Sequence, residues 1–251
     1  MELVRSKVCG SNPSVRPCFR ASRHYCNIMH EADIAAFDRD LSAGESVRVW
    51  ITGVGGSGKS ALAYRMLRVA AGHKTSAPLP ILVDEDWDGA LLEHVGHQLT
   101  SDDRCPTAKM IEILGARGRL CVLMDSLSER GMADAVAQVA DAIRKGVFKS
   151  IVVTSRQPRP DGRVWQEFKT VIALPVTVEQ ASDYVATYAP ENRRPLVLQQ
   201  IAPLITRSVS PLFLRFAIEQ ALVGEVSSTS TLDLVLQYVE ALRAGRCRGH
   251  L

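Results

Sequence analysis

The chain has 251 residues, of which 46% are hydrophobic and 23% charged, and a formal net charge of +3. That is enough for one large core, or a core with a small satellite domain, and so modest a charge gives no reason to expect a nucleic-acid or acidic partner. No stretch approaches the roughly 20 apolar residues that span a bilayer, so no membrane partner is expected. The N-terminal run is basic (Arg5, Lys7, Arg16, Arg20, Arg23) without the apolar block of a secretory signal. Its poverty in acids leaves a transit peptide conceivable, and a cytoplasmic location is the default expectation.

Residues 1–28 follow neither a helical nor a strand period and contain Pro13 and Pro17, so they read as a loose basic tail. Cys9, Cys18 and Cys26, with His24 and His30, match no zinc spacing. With Cys105, Cys121 and Cys247 they make six cysteines and no CxxC pair, as expected of unpaired thiols in a reducing compartment. A helix is predicted over about 28–41, with Ile34, Phe37 and Leu41 on its apolar side and Gly44 beyond its end.

Val47 to Thr52 alternates and is β-branched, so it reads as a strand. It runs directly into Gly53-Val54-Gly55-Gly56-Ser57-Gly58-Lys59-Ser60. A helix carrying Leu62, Met66, Leu67 and Val69 follows, closed by Gly72. Pro80–Asp84 is a short strand, then helices are expected near 88–100 and 107–116. His94 and His97 lie one turn apart on the first of these, but nothing else supplies metal ligands. Arg119 to Asp125 is a continuous apolar run ending in an acid, the pattern of a strand buried on both faces. A helix over about 132–145, a strand over 149–155 and a strand over 170–174 complete the alternation, which predicts a parallel α/β sheet. After Pro175 only helical periods appear, near 178–188, 193–206, 211–223 and 231–244. The expected organisation is therefore a tail (1–28), an α/β domain (29–175), a helical subdomain (176–225) and the start of a further domain (226–251).

Gly53-x-x-x-x-Gly58-Lys59-Ser60 fits the Walker A pattern in full and sits between a strand and a helix, as that pattern requires. Glycines at 53, 55, 56 and 58 permit backbone angles closed to other residues. Their amides can then turn inward around phosphate oxygens, reinforced by the N-terminus of the following helix. Lys59 reaches the β- and γ-phosphates and the Ser60 hydroxyl holds Mg²⁺. The expected nucleotide-binding set is Gly53, Val54, Gly55, Gly56, Ser57, Gly58, Lys59, Ser60 and Ala61. Asp125, ending the apolar strand, is the expected second Mg²⁺ group. Glu129, four residues on, is positioned to polarise an attacking water. Arg156, at the end of the 149–155 strand, would meet a γ-phosphate at the carboxyl edge of the sheet. Asp84, Glu85 and Asp86 end another strand near that edge and read as a solvated acidic loop.

These pieces resemble the NACHT-type NTPases of the STAND class, signal-transducing ATPases with an AAA+-related nucleotide switch. Leu120-Cys-Val-Leu-Met-Asp125-Ser126-Leu-Ser128-Glu129 is similar to their extended Walker B, an apolar strand followed by D-G-L-D-E, with Ser126 and Ser128 replacing the Gly and the second Asp. Val152-Val-Thr-Ser-Arg156 resembles their sensor 1 strand. Leu174 to Val185 looks like the entry to their helical domain, and Ser210-Pro211-Leu-Phe-Leu-Arg215 like its G-x-P-L-x-L segment. The resemblance covers about residues 45–225. It implies a three-layer P-loop NTPase followed by a helical subdomain, binding ATP or ADP with Mg²⁺. Pro211 would approach the adenine or ribose, and Arg156 would sense the γ-phosphate. It further implies slow hydrolysis used as a switch, homo-oligomerisation in the ATP state, and effector or sensor partners. Ser128 removes a family carboxylate, which leaves a binding module without catalysis as the alternative. A small-molecule kinase, with Arg156, Arg159 and Arg163 in a lid, and a DNA-handling ATPase, resting on the basic ends, are weaker alternatives.

Overall fold

The computed structural model describes residues 18–72, 78–99, 106–205, 209–224 and 231–243. Its described residues fall into two compact units. One holds 30–53 and 59–172; the other holds 18–29, 54–58 and the described residues from Ala173 on.

The first unit is built on a five-stranded sheet of β1 (Arg48–Thr52), β2 (Leu79–Val83), β3 (Leu120–Met124), β4 (Ser150–Ser155) and β5 (Lys169–Ile172), in the order β2-β3-β4-β1-β5. Every pairing is parallel, and the register aligns the carboxyl ends, with Thr52 opposite both Ser155 and Ile172 and Met124 opposite Val153. The α/β parallel architecture expected from the alternating pattern is the one found. β3 and β4 are buried at every position, which is why β3 and the Ile151–Val153 centre of β4 read as apolar runs.

Handedness sets the layers. The steps β2→β3, β3→β4 and β4→β5 all move the same way across the sheet, and β1→β2 moves back. With crossovers of one hand, the first three place their helices on one face and the last on the opposite face. The core follows this division. One cluster gathers Trp87, Leu91, Val95, Ile111, Val139, Ile143 and Trp165 against Trp50, Ile81, Val83, Val122, Met124, Ile151 and Val153. Apart from Trp87, which precedes the first of these helices, the residues facing the strands come from α3 (Leu91–Leu99), α4 (Ala108–Ala116), α5 (Ala135–Arg144) and the short α6 (Arg163–Gln166). The alternate strand residues Val49, Ile51, Cys121, Leu123 and Val152 are buried on the other face. There α2 (Lys59–Gly72) lays Leu62, Ala63, Met66, Leu67 and Ala70 against the sheet.

Helix α1 (Cys18–Ser42) is broken at His30 (φ −129°, ψ 23°). It begins at Cys18 rather than near residue 28, so the expected loose tail gives way to helix over 18–28. That stretch carries no apolar period, and a helix without one leaves no trace in the sequence. The 30–42 part buries Ile34, Phe37 and Leu41, and Asp33 pairs with Lys169 of β5 at 2.9 Å.

The second unit is helical, apart from an isolated antiparallel bridge between Val176 and Val209. Helices α7 (Val178–Tyr188), α8 (Arg194–Ile201), α9 (Pro211–Val223) and α10 (Thr231–Arg243) share a core of Tyr184, Val185, Val197, Ile201, Leu214, Phe216, Ile218 and Tyr238. Helix α8 stops at Ile201, short of the predicted 206. Ser210 caps α9 by accepting from the Phe213 N–H, with Pro211 at the first turn, and Gly224 closes it in the left-handed region at φ 89°. Among the described residues no helix is long and apolar enough to cross a membrane.

Candidate functional site

The two neighbours β1 and β4 send their connections in opposite directions, β1 back to β2 and β4 on to β5. A crevice opens outside the carboxyl ends of such a pair, where α/β proteins bind ligands. The Gly53–Ser60 loop leaves β1 at this edge, Ser155 and Arg156 leave β4, and Asp125 leaves β3.

Asp125 is the hub. Its Oδ1 accepts from the Ser60 hydroxyl at 2.9 Å and from the Thr154 hydroxyl at 2.5 Å. Alternation along the strands explains the meeting. Asp125 follows Leu123 by two residues and Thr154 follows Val152 by two, so both side chains face the side of the sheet covered by α2, whose first turn holds Ser60. The Thr154 oxygen also accepts from the Ser126 N–H at 2.7 Å, and Thr154 is fully buried.

Ser126 sits at φ 55°, ψ 40°, among the described residues the one non-glycine at positive φ. It occupies the position where the resembling motif carries glycine, which adopts this conformation freely. The tight turn lets a short 3₁₀ segment (Leu127–Glu129) bring Ser128 and Glu129 up to the end of β4. The Arg156 N–H donates to the Ser128 Oγ at 2.9 Å, and the Arg156 guanidinium pairs with Glu129 at 2.7 Å.

In the loop, Gly53, Gly56 and Gly58 take φ of 156°, 74° and 89°. The Lys59 ammonium donates to the Gly53 carbonyl at 2.9 Å. Lys59 is buried, and burial holds its pKa below the ordinary lysine value. Glu129 and Asp125 pull the other way, and Arg156 adds to the depression. Ser57 is buried, and its hydroxyl has no hydrogen-bond partner among the described residues. Val54 and Gly55 are exposed, and Ala61 continues α2.

Residues 54–58 group with the second unit, which also contains Pro211. The Leu212 N–H donates to the Gly56 carbonyl at 3.2 Å, and a Cβ on Gly56 would fall 2.8 Å from that of Leu212. The Pro211 carbonyl accepts from the buried Tyr184 hydroxyl at 2.8 Å.

The donor set fits Mg²⁺. The Ser60 hydroxyl donates its hydrogen bond to Asp125, which leaves its oxygen lone pairs available, and one hydroxyl plus one carboxylate are hard oxygen ligands. Among the described residues no group of three or more His, Cys, Asp or Glu side chains is placed to hold a metal by itself.

Other sequence candidates lie elsewhere. Cys9, Cys105 and Cys247 fall outside the described residues, as do Arg5, Lys7, Arg16, Arg246 and Arg248. Cys121 is fully buried, and burial pushes its thiol up to about 12. His94 meets Gln98 at 3.4 Å and the Trp87 ring at 6.2 Å between centroids. Asp84 accepts from Tyr64 at 3.2 Å. Asp86 is a structural acceptor rather than a merely solvated loop acid, taking the Gly131 N–H at 3.3 Å and facing Arg130 at 3.7 Å. Arg159 donates to the Phe168 carbonyl at 2.7 Å, an anchorage unlike a mobile lid. Sequence reasoning missed Thr154 and Arg130; a hydroxyl two residues before Arg156, on the face shared with Asp125, was the readable signal for the first.

No family model and no curated protein matches the chain. Among solved structures it is similar to a Signal Transduction ATPase with Numerous Domains (STAND) protein with a tetratricopeptide repeat sensor from Pyrococcus horikoshii. The TM-score is 0.47 at 12% identity, over 80% of this chain and 31% of that one. It is also similar to PCH-2 of C. elegans, with a TM-score of 0.41 at 15% identity, over 85% of this chain and 66% of that one. The chain thus spans about a third of the STAND protein's length. Both scores are low, and the chemistry of the site rests on the residues of this chain.

Proposed function

We propose that the chain binds a purine nucleoside triphosphate, ATP rather than GTP, with Mg²⁺, in the Gly53–Ala61 loop. The observation that carries this reading is the convergence of Ser60 and Asp125 at 2.9 Å, with Lys59 buried beside them, at the carboxyl edge of a parallel sheet. Loop amides and the first turn of α2 would take the phosphate oxygens. Lys59 would leave the Gly53 carbonyl for the β- and γ-phosphates. Ser60 would ligate Mg²⁺, with Asp125 holding it directly or through a water. When bound, the ion would supply positive charge that offsets the charge developing on the phosphates. Glu129 would orient the attacking water once Arg156 turns to the γ-phosphate.

By the resemblance, slow turnover would serve a conformational switch, with oligomerisation in the ATP state and effector or sensor proteins as partners. The protein would work in the cytoplasm. A module that binds without turnover is favoured by two observations: the Glu129 carboxylate pairs with Arg156, and Ser128 supplies no second carboxylate.

Equilibrium binding of a fluorescent ATP analogue tests the reading. Wild type should bind with Mg²⁺ and Lys59→Ala should not; equal affinity in both would end the assignment. Phosphate release by wild type and Glu129→Gln then separates the two versions. Slow release that depends on Glu129 supports the switch, and none in either supports the binding module.

A further inference from the structure

Arg130 stands just after Glu129 and belongs to none of the motifs above, yet its guanidinium is almost wholly buried, with 5% of the side chain exposed. One nitrogen, Nη2, donates to two backbone carbonyls, that of Val83 at 2.8 Å and that of Asp125 at 2.6 Å. The plane lies over the Trp87 ring, 5.8 Å from its centroid, and Nη1 faces Asp86 at 3.7 Å.

The place of these carbonyls in the fold gives the contact its meaning. Strands β2 and β3 end together, Val83 opposite Met124. The last link between them is the Asp125 N–H, which donates to the Val83 carbonyl at 2.9 Å. One residue later the chain turns at Ser126 into the left-handed region, so the Asp125 carbonyl leaves the sheet with no strand beside it. A buried carbonyl without a partner is costly. Arg130 reaches back five residues and supplies that partner, closing a rung that the diverging strands cannot make. The Asp125 backbone is thereby held on both sides, by Val83 at its N–H and by Arg130 at its C=O, which fixes the point and direction from which its side chain leaves toward Ser60 and Thr154.

We infer that Arg130 is the positioning residue of the Mg²⁺ site, holding Asp125 at the angle from which it and Ser60 share the ion. The inference rests on the nucleotide-binding reading given above. Arg130 touches neither nucleotide nor metal in this role, so its loss should act on the ion's contribution to binding and spare the phosphate contacts made by Lys59 and the loop amides.

The test is titration of the fluorescent ATP analogue against wild type, Arg130→Met and Arg130→Lys, once across a range of Mg²⁺ and once in EDTA. Groups that orient metal ligands typically cost 10–100-fold in metal affinity when lost. Arg130→Met should therefore raise the Mg²⁺ needed for half-maximal binding by about tenfold or more while leaving the EDTA affinity at the wild-type value. Both carbonyls are met by one nitrogen, so a lysine ammonium can serve them, and Arg130→Lys should recover most of the shift. An unchanged Mg²⁺ requirement in folded Arg130→Met overturns the inference. So does an equal loss with and without Mg²⁺, which is the mark of general damage. Should Arg130→Met fail to fold, the more exposed Asp86 carries the test: Asp86→Asn loosens the guanidinium and should shift the Mg²⁺ requirement the same way by less, and no shift overturns the proposal. Wild type that binds no analogue at all sinks the nucleotide reading and this inference with it.

Discussion

The Arg156 guanidinium lies 2.7 Å from the Glu129 carboxylate, and the Arg156 N–H is tied to Ser128, the residue just before Glu129. The arginine expected to meet a γ-phosphate and the carboxylate expected to orient water thus hold each other. A γ-phosphate brings more charge than one carboxylate and would draw the arginine away. Arg156→Ala should then weaken ATP binding by about tenfold, the scale of a hydrogen bond to a charged group, and leave ADP affinity near wild type. Competition titrations with both nucleotides check this. An equal loss for ATP and ADP would place Arg156 outside the γ-phosphate's reach.

Thr154 has two tasks with one oxygen, donating to the Asp125 carboxylate and accepting from the Ser126 N–H. Valine matches its shape but can do neither. Thr154→Val leaves a buried N–H and a carboxylate lone pair unmet, at a cost of about 1–3 kcal/mol. Its melting temperature should fall by several degrees, while Thr154→Ser, which keeps the hydroxyl, should lose less. A valine variant as stable as wild type would show that the turn at Ser126 does not depend on this bond.

Gly115, in the last turn of α4, tests the packing on the other face of the sheet. A Cβ built there would lie 2.0 Å from the Val147 carbonyl oxygen. Backbone cannot step aside as a flexible side chain can, so Gly115→Ala must push α4 away from the segment between α5 and β4. Overpacking of this kind costs about 1–3 kcal/mol, read by chemical denaturation with the midpoint lowered. An unchanged midpoint would mean that the close approach is not fixed in solution.

β3 and the middle of β4 were legible because burial on both faces leaves nothing polar there, and Leu120 to Met124 and Ile151 to Val153 read as apolar without interruption. Asp125 was legible as the acid that ends such a run. Arg130 was not, because its partners are carbonyls, which every residue carries and no sequence pattern marks. Asp86 looked like one of three loop acids, and only the fold brings Gly131 and Arg130 to it. Ser126 and Ser128 read as departures from a motif. In the structure the first takes the left-handed turn itself, and the second supplies an oxygen to the Arg156 N–H. The helix over 18–28 gave no signal because amphipathic periodicity, the main mark of a helix, is missing from its sequence.

Lys59 offers a prediction in pH. Burial lowers its pKa below 10.5, and the nearby Glu129 and Asp125 carboxylates do not fully offset that. A lysine with a folded pKa below its unfolded value holds its proton less tightly in the folded state. Below the lowered value the cost of burying the ammonium is therefore fully present, and it is relieved as pH climbs from there toward 10.5. Lys59→Met keeps the aliphatic stem and has nothing to titrate. Without nucleotide, it should be at least as stable as wild type at neutral pH, and the stability of wild type relative to it should rise through that window. Bound triphosphate adds negative charge beside the ammonium, so nucleotide affinity of wild type should fall over the same rise in pH. Thermal melts of both proteins at a series of pH values, with and without the nucleotide, measure the two trends together. A stability difference that stays flat from neutral pH to 10.5 would mean the ammonium is not buried at a cost.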